Sequence, residues 1–284
     1  MRKEAVLFCL ATVLFIHGVA VAGVGQGLVA YWSFDDCKAR DMSGNEHHGK
    51  IHGNPGCTEG VVGKALKFDG LDDYIEISVP LQGDRNWSVC SWVNLSEVPD
   101  DNDWLALISN SDEGIELGIY NSSGAFAIYL LGAKDIQAPR STVVVNEDMF
   151  VCYTKSSGTL NIFKNGSLIR RKSGPMNFSS LKTIGMWDPI SSNPDDKEGI
   201  NGMIDELRVY DRALSKSEIQ LLYHTTPPVS GNTSGFRSMN ITCRNDTTGQ
   251  SVKTKGKSEW DCEKAGLAVS PGDTVTVSIT GPVH

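Results

Sequence analysis

Most of the usual marks of an active site are missing from this sequence. There is no CxxC pair and no cysteine–histidine spacing suited to zinc. His47-His48, in the SGNEHHG turn, also lacks cysteines or carboxylates at zinc geometry. A GxSxG elbow for a serine hydrolase is absent. GVGQG at Gly23 to Gly27 mimics a nucleotide loop but has no strand-turn-helix around it. Basic charge is scarce, with 26 Lys and Arg against 34 Asp and Glu and a formal net charge of −8. That balance argues against nucleic acid or an anionic membrane surface as partner, since both need a basic footprint. The single basic run, KTKGK at Lys253 to Lys257, reads as a solvated turn. Beyond the first residues no apolar run approaches membrane length, so membrane insertion is not expected.

The chain opens MRKEAVLFCLATVLFIHGVAVAG. Arg2 and Lys3 form a basic start, Ala5 to Ile16 is apolar apart from Thr12, and Ala20-Val21-Ala22 supplies small residues at a cleavage spacing. Residues 1–22 therefore read as a secretory signal cleaved after Ala22, with an uncleaved N-terminal anchor as the alternative. Cleavage removes Cys9 and moves the net charge from −8 to −9. Six cysteines remain: Cys37, Cys57, Cys90, Cys152, Cys243 and Cys262. An even number in an exported chain points to disulfides, and sequence alone leaves all 15 pairings open. Eight N-x-S/T sequons, at Asn86, Asn94, Asn121, Asn165, Asn177, Asn232, Asn240 and Asn245, are acceptors in a eukaryotic secretory pathway.

The mature chain is β in pattern. YIEISV (Tyr74–Val79) puts Ile75, Ile77 and Val79 on one face and Glu76 and Ser78 on the other. Asn165-Gly166 marks a two-residue hairpin. One helix is expected over Ser215–Leu222, with Ser215 and Glu218 as a capping box. Many short strands at even spacing suit an antiparallel sandwich. TTPPVSGNTSG, Thr225 to Gly235, has almost nothing to bury and reads as a linker over 225–235. The predicted organisation is a sandwich over 27–224 and a small β-domain over 236–284. A module that small builds little core, and a Cys243–Cys262 bridge would staple it.

GLVAYWSFDD, DMSGNEHHGKIHG and GKALKFDGLDDYIEI near the front, with GMIDELRVYDRALSKSEIQLLY near the back, resemble the LamG-like jelly-roll family of the concanavalin A-like lectin/glucanase group. The likeness runs from about Gly27 to His224 and implies a jelly-roll β-sandwich. WSVCSWV (Trp87–Val93) and MFVCYTKSSGTLNIFKNG (Met149–Gly166) are similar to the two pentraxin strands that carry that family's disulfide. This second likeness implies Cys90–Cys152, leaving Cys37 with Cys57; buried free thiols are the alternative for Cys90 and Cys152. Two strands of similarity do not extend to a pentraxin-like ring.

The acids divide into three groups. Asp69, Asp72, Asp73 and Glu76 lie in FDGLDDYIEI. Glycosidases need two converging carboxyls, and glucanases resembling this sandwich carry an E-x-D-x-E run that alternation places on one face. The chain has no such run, so the aspartates read as a turn corner around Gly70, with a structural calcium as the minor option. In GMIDELRVYD, alternation puts Asp205 with Leu207 and Val209 on a partly buried face, needing a partner; Glu206, Arg208 and Tyr210 read as surface pairing. Finally, the pentraxin likeness implies a calcium site from Asp112 and Glu113 in SNSDEGIELGIY and Asp188 and Glu198 in IGMWDPISSNPDDKEGINGMID, although Met186-Trp187 stand where that pattern has a glutamate. The alternative is that these acids are solvated loop residues. Trp187 could stack on a sugar ring, and Trp104 in DDNDWLALI faces the same choice between stacking and core.

The resemblance implies a secreted, non-catalytic module for carbohydrate or a glycosylated surface, held on loops or the concave face, with calcium as a possible aid. The rivals are a glycan hydrolase or lyase on the same sandwich and a cell-surface or matrix adhesion component. N-terminal sequencing of the protein from a secreting host checks the first step: the expected mature residue is Gly23, and a retained Met1 would indicate an anchor.

Overall fold

The computed structural model describes residues 24–98, 104–120, 123–130, 135–191, 198–225, 239–245, 250–256 and 275–280. The expected signal peptide and most of the 225–235 linker lie outside them. In chain order the strands are β1 (Leu28–Trp32), β2 (Lys50–His52), β3 (Gly56–Glu59), β4 (Lys64–Asp69), β5 (Tyr74–Pro80), β6 (Trp87–Leu95), β7 (Trp104–Asn110), β8 (Ile115–Tyr120), β9 (Ala125–Leu130) and β10 (Ile136–Gln137). They continue with β11 (Met149–Ser156), β12 (Thr159–Lys164), β13 (Ser167–Ser173), β14 (Ser180–Ile184) and β15 (Asn201–Tyr210), then helix α1 (Lys216–Thr225). β16 (Met239–Asn245), β17 (Ser251–Gly256) and β18 (Val275–Thr280) complete the set.

Two antiparallel sheets form the sandwich. The first has the order β13-β12-β11-β6-β15-β4-β3, with β1 also on β15; the second runs β10-β9-β8-β7-β14-β5-β2. Non-consecutive neighbours such as β6 and β15 make the jelly-roll character of the expected fold. The inward faces share one core in which Trp32, Phe68, Val93, Leu107, Leu117, Phe126 and Ile204 are fully buried. Each such side chain contributes about 1.5–3 kcal/mol on leaving water. The YIEISV alternation holds, with Ile75, Ile77 and Val79 inward and Glu76 and Ser78 exposed. β17, β16 and β18 form a three-stranded sheet of their own.

The first sheet also has a covered outer face. α1 packs Ile219 and Leu222 over Trp92, Phe150, Phe163 and Tyr210. Its start is the expected capping box: the Glu218 amide donates to Ser215 Oγ at 3.3 Å, and the Ser215 amide donates to Glu218 Oε2 at 2.8 Å. The Cys90–Cys152 disulfide joins residues directly opposite in the β6–β11 register and lies in this second cluster. Cys37–Cys57 is the other bridge among the described residues. Cys262 falls outside them, and with it the Cys243–Cys262 pairing.

The alternation expected in GMIDELRVYD is broken. β15 carries a bulge between Asp205 and Arg208 against β6, with Glu206 at φ 56°. One extra residue resets the period of two. Ile204, Leu207 and Val209 consequently all enter the inner core, while Met203 and Tyr210 reach the outer cluster. Asp205 therefore does not share a face with Leu207 and Val209, and its neighbours are not surface pairs. Glu206 is 2% exposed, accepts from the Tyr31 hydroxyl at 2.7 Å and pairs with Arg208, whose guanidinium lies over the Tyr31 ring. Asp205 is fully buried; its Oδ2 accepts from the Val62 amide at 3.0 Å and its Oδ1 has no hydrogen-bond partner.

Burial, reinforced by the Glu206 charge, pushes the Asp205 carboxyl up to about 7. Its folded value lies above its unfolded value of 3.8, so the native state binds the extra proton between those limits. The ionised form is thus penalised as pH rises through that window, and stability falls. Urea unfolding should give a free energy roughly 2 kcal/mol higher at pH 5 than at pH 8 from this group. Asp205→Asn should flatten that part of the profile; an unchanged slope would clear Asp205 of the effect.

Candidate functional site

The acid corner is a hydrogen-bonded turn. Asp73 is 3% exposed; its Oδ1 accepts from the Asn54 amide at 2.6 Å and its Oδ2 from the Asp69 amide at 3.0 Å. Asp69 Oδ1 in turn accepts from Leu71 at 2.8 Å, around Gly70 at φ 79°. Ligand atoms of Asp69, Asp72 and Asp73 lie within 4.8 Å of one another, but the bonds they make are those of a capped turn joining β4 to β5.

The four acids of the expected calcium site do not converge. Asp112 and Glu113 occupy a 3-10 turn between β7 and β8. Asp112 pairs with Lys182. Glu113 accepts from the Ser179 amide and hydroxyl, each at 2.5 Å. Partial burial pushes the Glu113 carboxyl up, and these bonds outweigh it, holding the group below its usual range. Glu198 belongs to the other end of β7, where its carbonyl accepts from the Ala106 amide at 3.1 Å. Asp188 follows Trp187, is half-buried, and keeps an Oδ1 without a hydrogen-bond partner. Among the described residues, no group of three acids that includes any of these four brings its ligand atoms within 4.8 Å. Asp112, Glu113 and Glu198 are thus each engaged by other partners in the described structure.

A different constellation emerges on the outer face of the second sheet. Cross-strand register aligns Thr183, Ser109, Glu116 and Tyr129 in one row across β14, β7, β8 and β9. The next row is small: Ala106, Gly118 and Ala127. Gly118 must be small, because a Cβ there would collide with the Leu105 carbonyl at the β7 bulge. Beyond it Trp104 faces Tyr120.

Rings fold over the small row. Trp104 lies 5.2 Å from Tyr120 and 5.5 Å from Tyr129, and Trp187 meets Tyr129 edge-on at 5.5 Å. Trp104 is 8% exposed and forms the floor; Tyr120, Tyr129 and Trp187 are half-buried and present ring surface. The loop bearing Trp187 is pinned from below, since Ser109 Oγ donates to the Met186 carbonyl at 3.0 Å and also contacts Thr183 Oγ1. Glu116 is buried in the row at 1% exposure. Burial, then the carboxylates of Asp135, Glu198 and Glu116, push the Tyr129 phenol up. Above this buried row the face offers the half-buried rings of Tyr120, Tyr129 and Trp187, with Asp135 and Glu198 also half-buried nearby, a mixture that suits a ligand with both C–H faces and polar groups.

Sequence reasoning singled out Trp104 and Trp187 but missed Tyr120, Tyr129 and Glu116. The alternation within IELGIY and AFAIYL contained the signal, because Glu116, Gly118 and Tyr120 fall on one face, as do Ala127 and Tyr129. Only the strand order brings the two runs side by side.

Residues 68–220, more than half of the chain, match the family model described as the concanavalin A-like lectin/glucanases superfamily. No curated protein matches significantly. Among solved structures, one similar fold is domain 4 of AbnA, a GH43 extracellular arabinanase from Geobacillus stearothermophilus, in complex with arabinotriose. It shows 19% identity and a TM-score of 0.54 over 69% of this chain and 98% of that one. The binding domain of Paraclostridial Mosquitocidal Protein 1 gives 15% identity and a TM-score of 0.59 over 82% of this chain and 64% of that one. The binding domain of botulinum neurotoxin DC in complex with SialylT gives 16% and 0.57 over 82% and 63%. The chain therefore spans somewhat under two thirds of the two toxin domains.

Because the expected calcium ligands are dispersed, the melting temperature should be the same, within about 1 °C, in calcium and in a chelator. Differential scanning fluorimetry checks this; a clear rise with calcium would mean that another set of oxygens, such as the Asp69–Asp73 corner, holds the ion.

Proposed function

Because the chain belongs to the concanavalin A-like lectin/glucanase superfamily and clusters four rings on one sheet face, we propose that it is a secreted, non-catalytic module that binds carbohydrate on the outer face of its second sheet. The observation that carries this reading is the ring cluster of Trp104, Tyr120, Tyr129 and Trp187 on the outer face of the second sheet. A pyranose or furanose has apolar C–H faces that stack on such rings. Similar folds bound to arabinotriose and to SialylT support carbohydrate as the ligand class. Secretion rests on the N-terminal sequence, and a glycoprotein surface is an equally suitable partner.

Glycan hydrolysis is the competing use of this face, since Glu116 and Glu198 both border Tyr129. A glycosidase needs both carboxyls open to the scissile bond. Glu116, at 1% exposure, is closed from it. The adhesion reading would need a contiguous apolar patch. Among the described residues the most exposed large hydrophobics, Met42, Leu71 and Ile190, instead belong to different loops.

Trp187→Ala and Tyr129→Ala test the proposal. Losing one stacked ring costs about 1.5 kcal/mol, or roughly a tenfold weaker Kd. On immobilised arabino-, xylo- and gluco-oligosaccharides the wild type should bind at least one series. Each variant should lose that binding while keeping its melting temperature, and no reducing ends should appear. Binding unaffected by both substitutions would move the ligand elsewhere on the sandwich.

A further inference from the structure

A cavity of about 440 Å³ opens on the outer face of the first sheet, on the opposite side of the sandwich from the rings. That volume lies within the roughly 300–1,000 Å³ of small-molecule sites. Strand register explains its floor. Ser88, Thr154, Asn161 and Arg171 stand in one cross-strand row over β6, β11, β12 and β13. Their chain neighbours Val89, Tyr153, Leu160 and Ile162 fill the inner core, so this row faces outward. β13 joins it through a bulge: Leu168 pairs with Phe163 and Arg170 with Ile162, leaving Ile169 as the extra residue. Leu168 and Arg171 thereby both line the cavity, and Lys216 at the start of α1 lines it from the helix side.

The row is tied together by hydrogen bonds. Ser88 Oγ accepts from the Leu214 amide at 2.8 Å and donates to the Arg212 carbonyl at 2.9 Å, which fixes the segment entering α1 over the sheet. Asn161 Nδ2 donates to Thr154 Oγ1 at 3.2 Å, and Asn161 Oδ1 accepts from Arg171 Nε at 2.9 Å. Thr154 and Asn161 are 2% and 7% exposed. Arg171 is thus held at Nε by buried side chains, and among the described residues its two Nη groups have no hydrogen bond or ion pair. Lys216 likewise has no ion pair among the described residues. Glu218, the one acid in the lining, is already engaged: Oε1 accepts from Arg212 at 2.7 Å and Oε2 from the Ser215 amide at 2.8 Å.

We propose that this cavity is a second binding site, for a small anion whose carboxylate, sulfate or phosphate oxygens are held by Arg171 and Lys216. A guanidinium with both Nη groups free offers parallel donors that match two oxygens of such a group. Lys216 adds a point charge from the opposite wall, and Phe163 and Leu168 give apolar contact to whatever body carries the charge. Because Asn161 already orients Arg171, little side-chain freedom is lost when the anion arrives. The site is independent of the ring face, with which it shares no residue.

Isothermal titration of the full mature protein at low salt tests this with four probes: inorganic phosphate, sulfate, glucuronate and glucose 6-phosphate. At least one should bind at concentrations up to about 10 mM. Arg171→Gln and Lys216→Gln should each weaken that binding about tenfold. Arg170→Gln removes the same charge from the next residue, which pairs with Ile162 and is not part of the lining, and should change it by less than about twofold. Trp187→Ala should leave it unchanged. Preference for the two sugar-borne anions would identify an anionic group on an organic body as the ligand, and equal binding of the inorganic ions a free oxyanion; either supports the site. Binding of none of the four would overturn it. An Arg170→Gln loss as large as that of Arg171→Gln would assign the binding to diffuse charge, and a loss in Trp187→Ala would move the anion to the ring face; each overturns this site and leaves the carbohydrate reading standing.

Discussion

The bulge at Glu206 is the constraint on which the first sheet depends. β15 runs between β6 on one side and β4 and β1 on the other. It must feed the inner core and also the cluster beneath α1. An unbroken alternation would serve both faces with a fixed parity over ten residues. The bulge lets Ile204 and Leu207 both point inward and sends Tyr210 to the helix-covered side. Its electrostatic consequence is concentrated in a small volume: Glu206 ties to Tyr31 and Arg208, and Asp205 is buried with one oxygen bonded and one not. Desolvating two carboxyls side by side is costly. The backbone amide at Val62 and the Arg208 guanidinium offset part of that cost.

The second sheet solves a different problem. Its inner face shares the core, while its outer face is left to do something else. The small row of Ala106, Gly118 and Ala127 leaves room for Trp104 to reach both tyrosines. The Trp187 loop is held by Ser109 rather than by strand pairing, so a side chain from a loop joins a face otherwise built from strands. Ring planes on a rigid sheet lose little conformational freedom when a ligand arrives, which favours recognition by stacking.

The resemblance read from FDGLDDYIEI and GMIDELRVYD carried the sandwich, and the capping box at Ser215 and Glu218 was legible to the atom. Cys90–Cys152 is the pairing that the pentraxin strands implied, and Cys37–Cys57 is the pair that it left over. The calcium ligands did not converge, because a loop acid is placed by what the loop packs against. Glu113 is taken up by Ser179 and Asp112 by Lys182, both some seventy positions later in the chain.

By itself the sequence determined which residues alternate, where turns fall and which ends cap the helix, since each of these rests on spacing within a few residues. It therefore determined the all-β class and the acid corner, whose bonds mostly join near neighbours. Tertiary structure alone decided the face of Asp205, because a bulge is fixed by the partner strands and not by the strand's own pattern. It also decided the candidate site. Trp104, Tyr120, Tyr129 and Trp187 come from three strands and a loop, and only the order β9-β8-β7-β14 in the sheet makes them one surface.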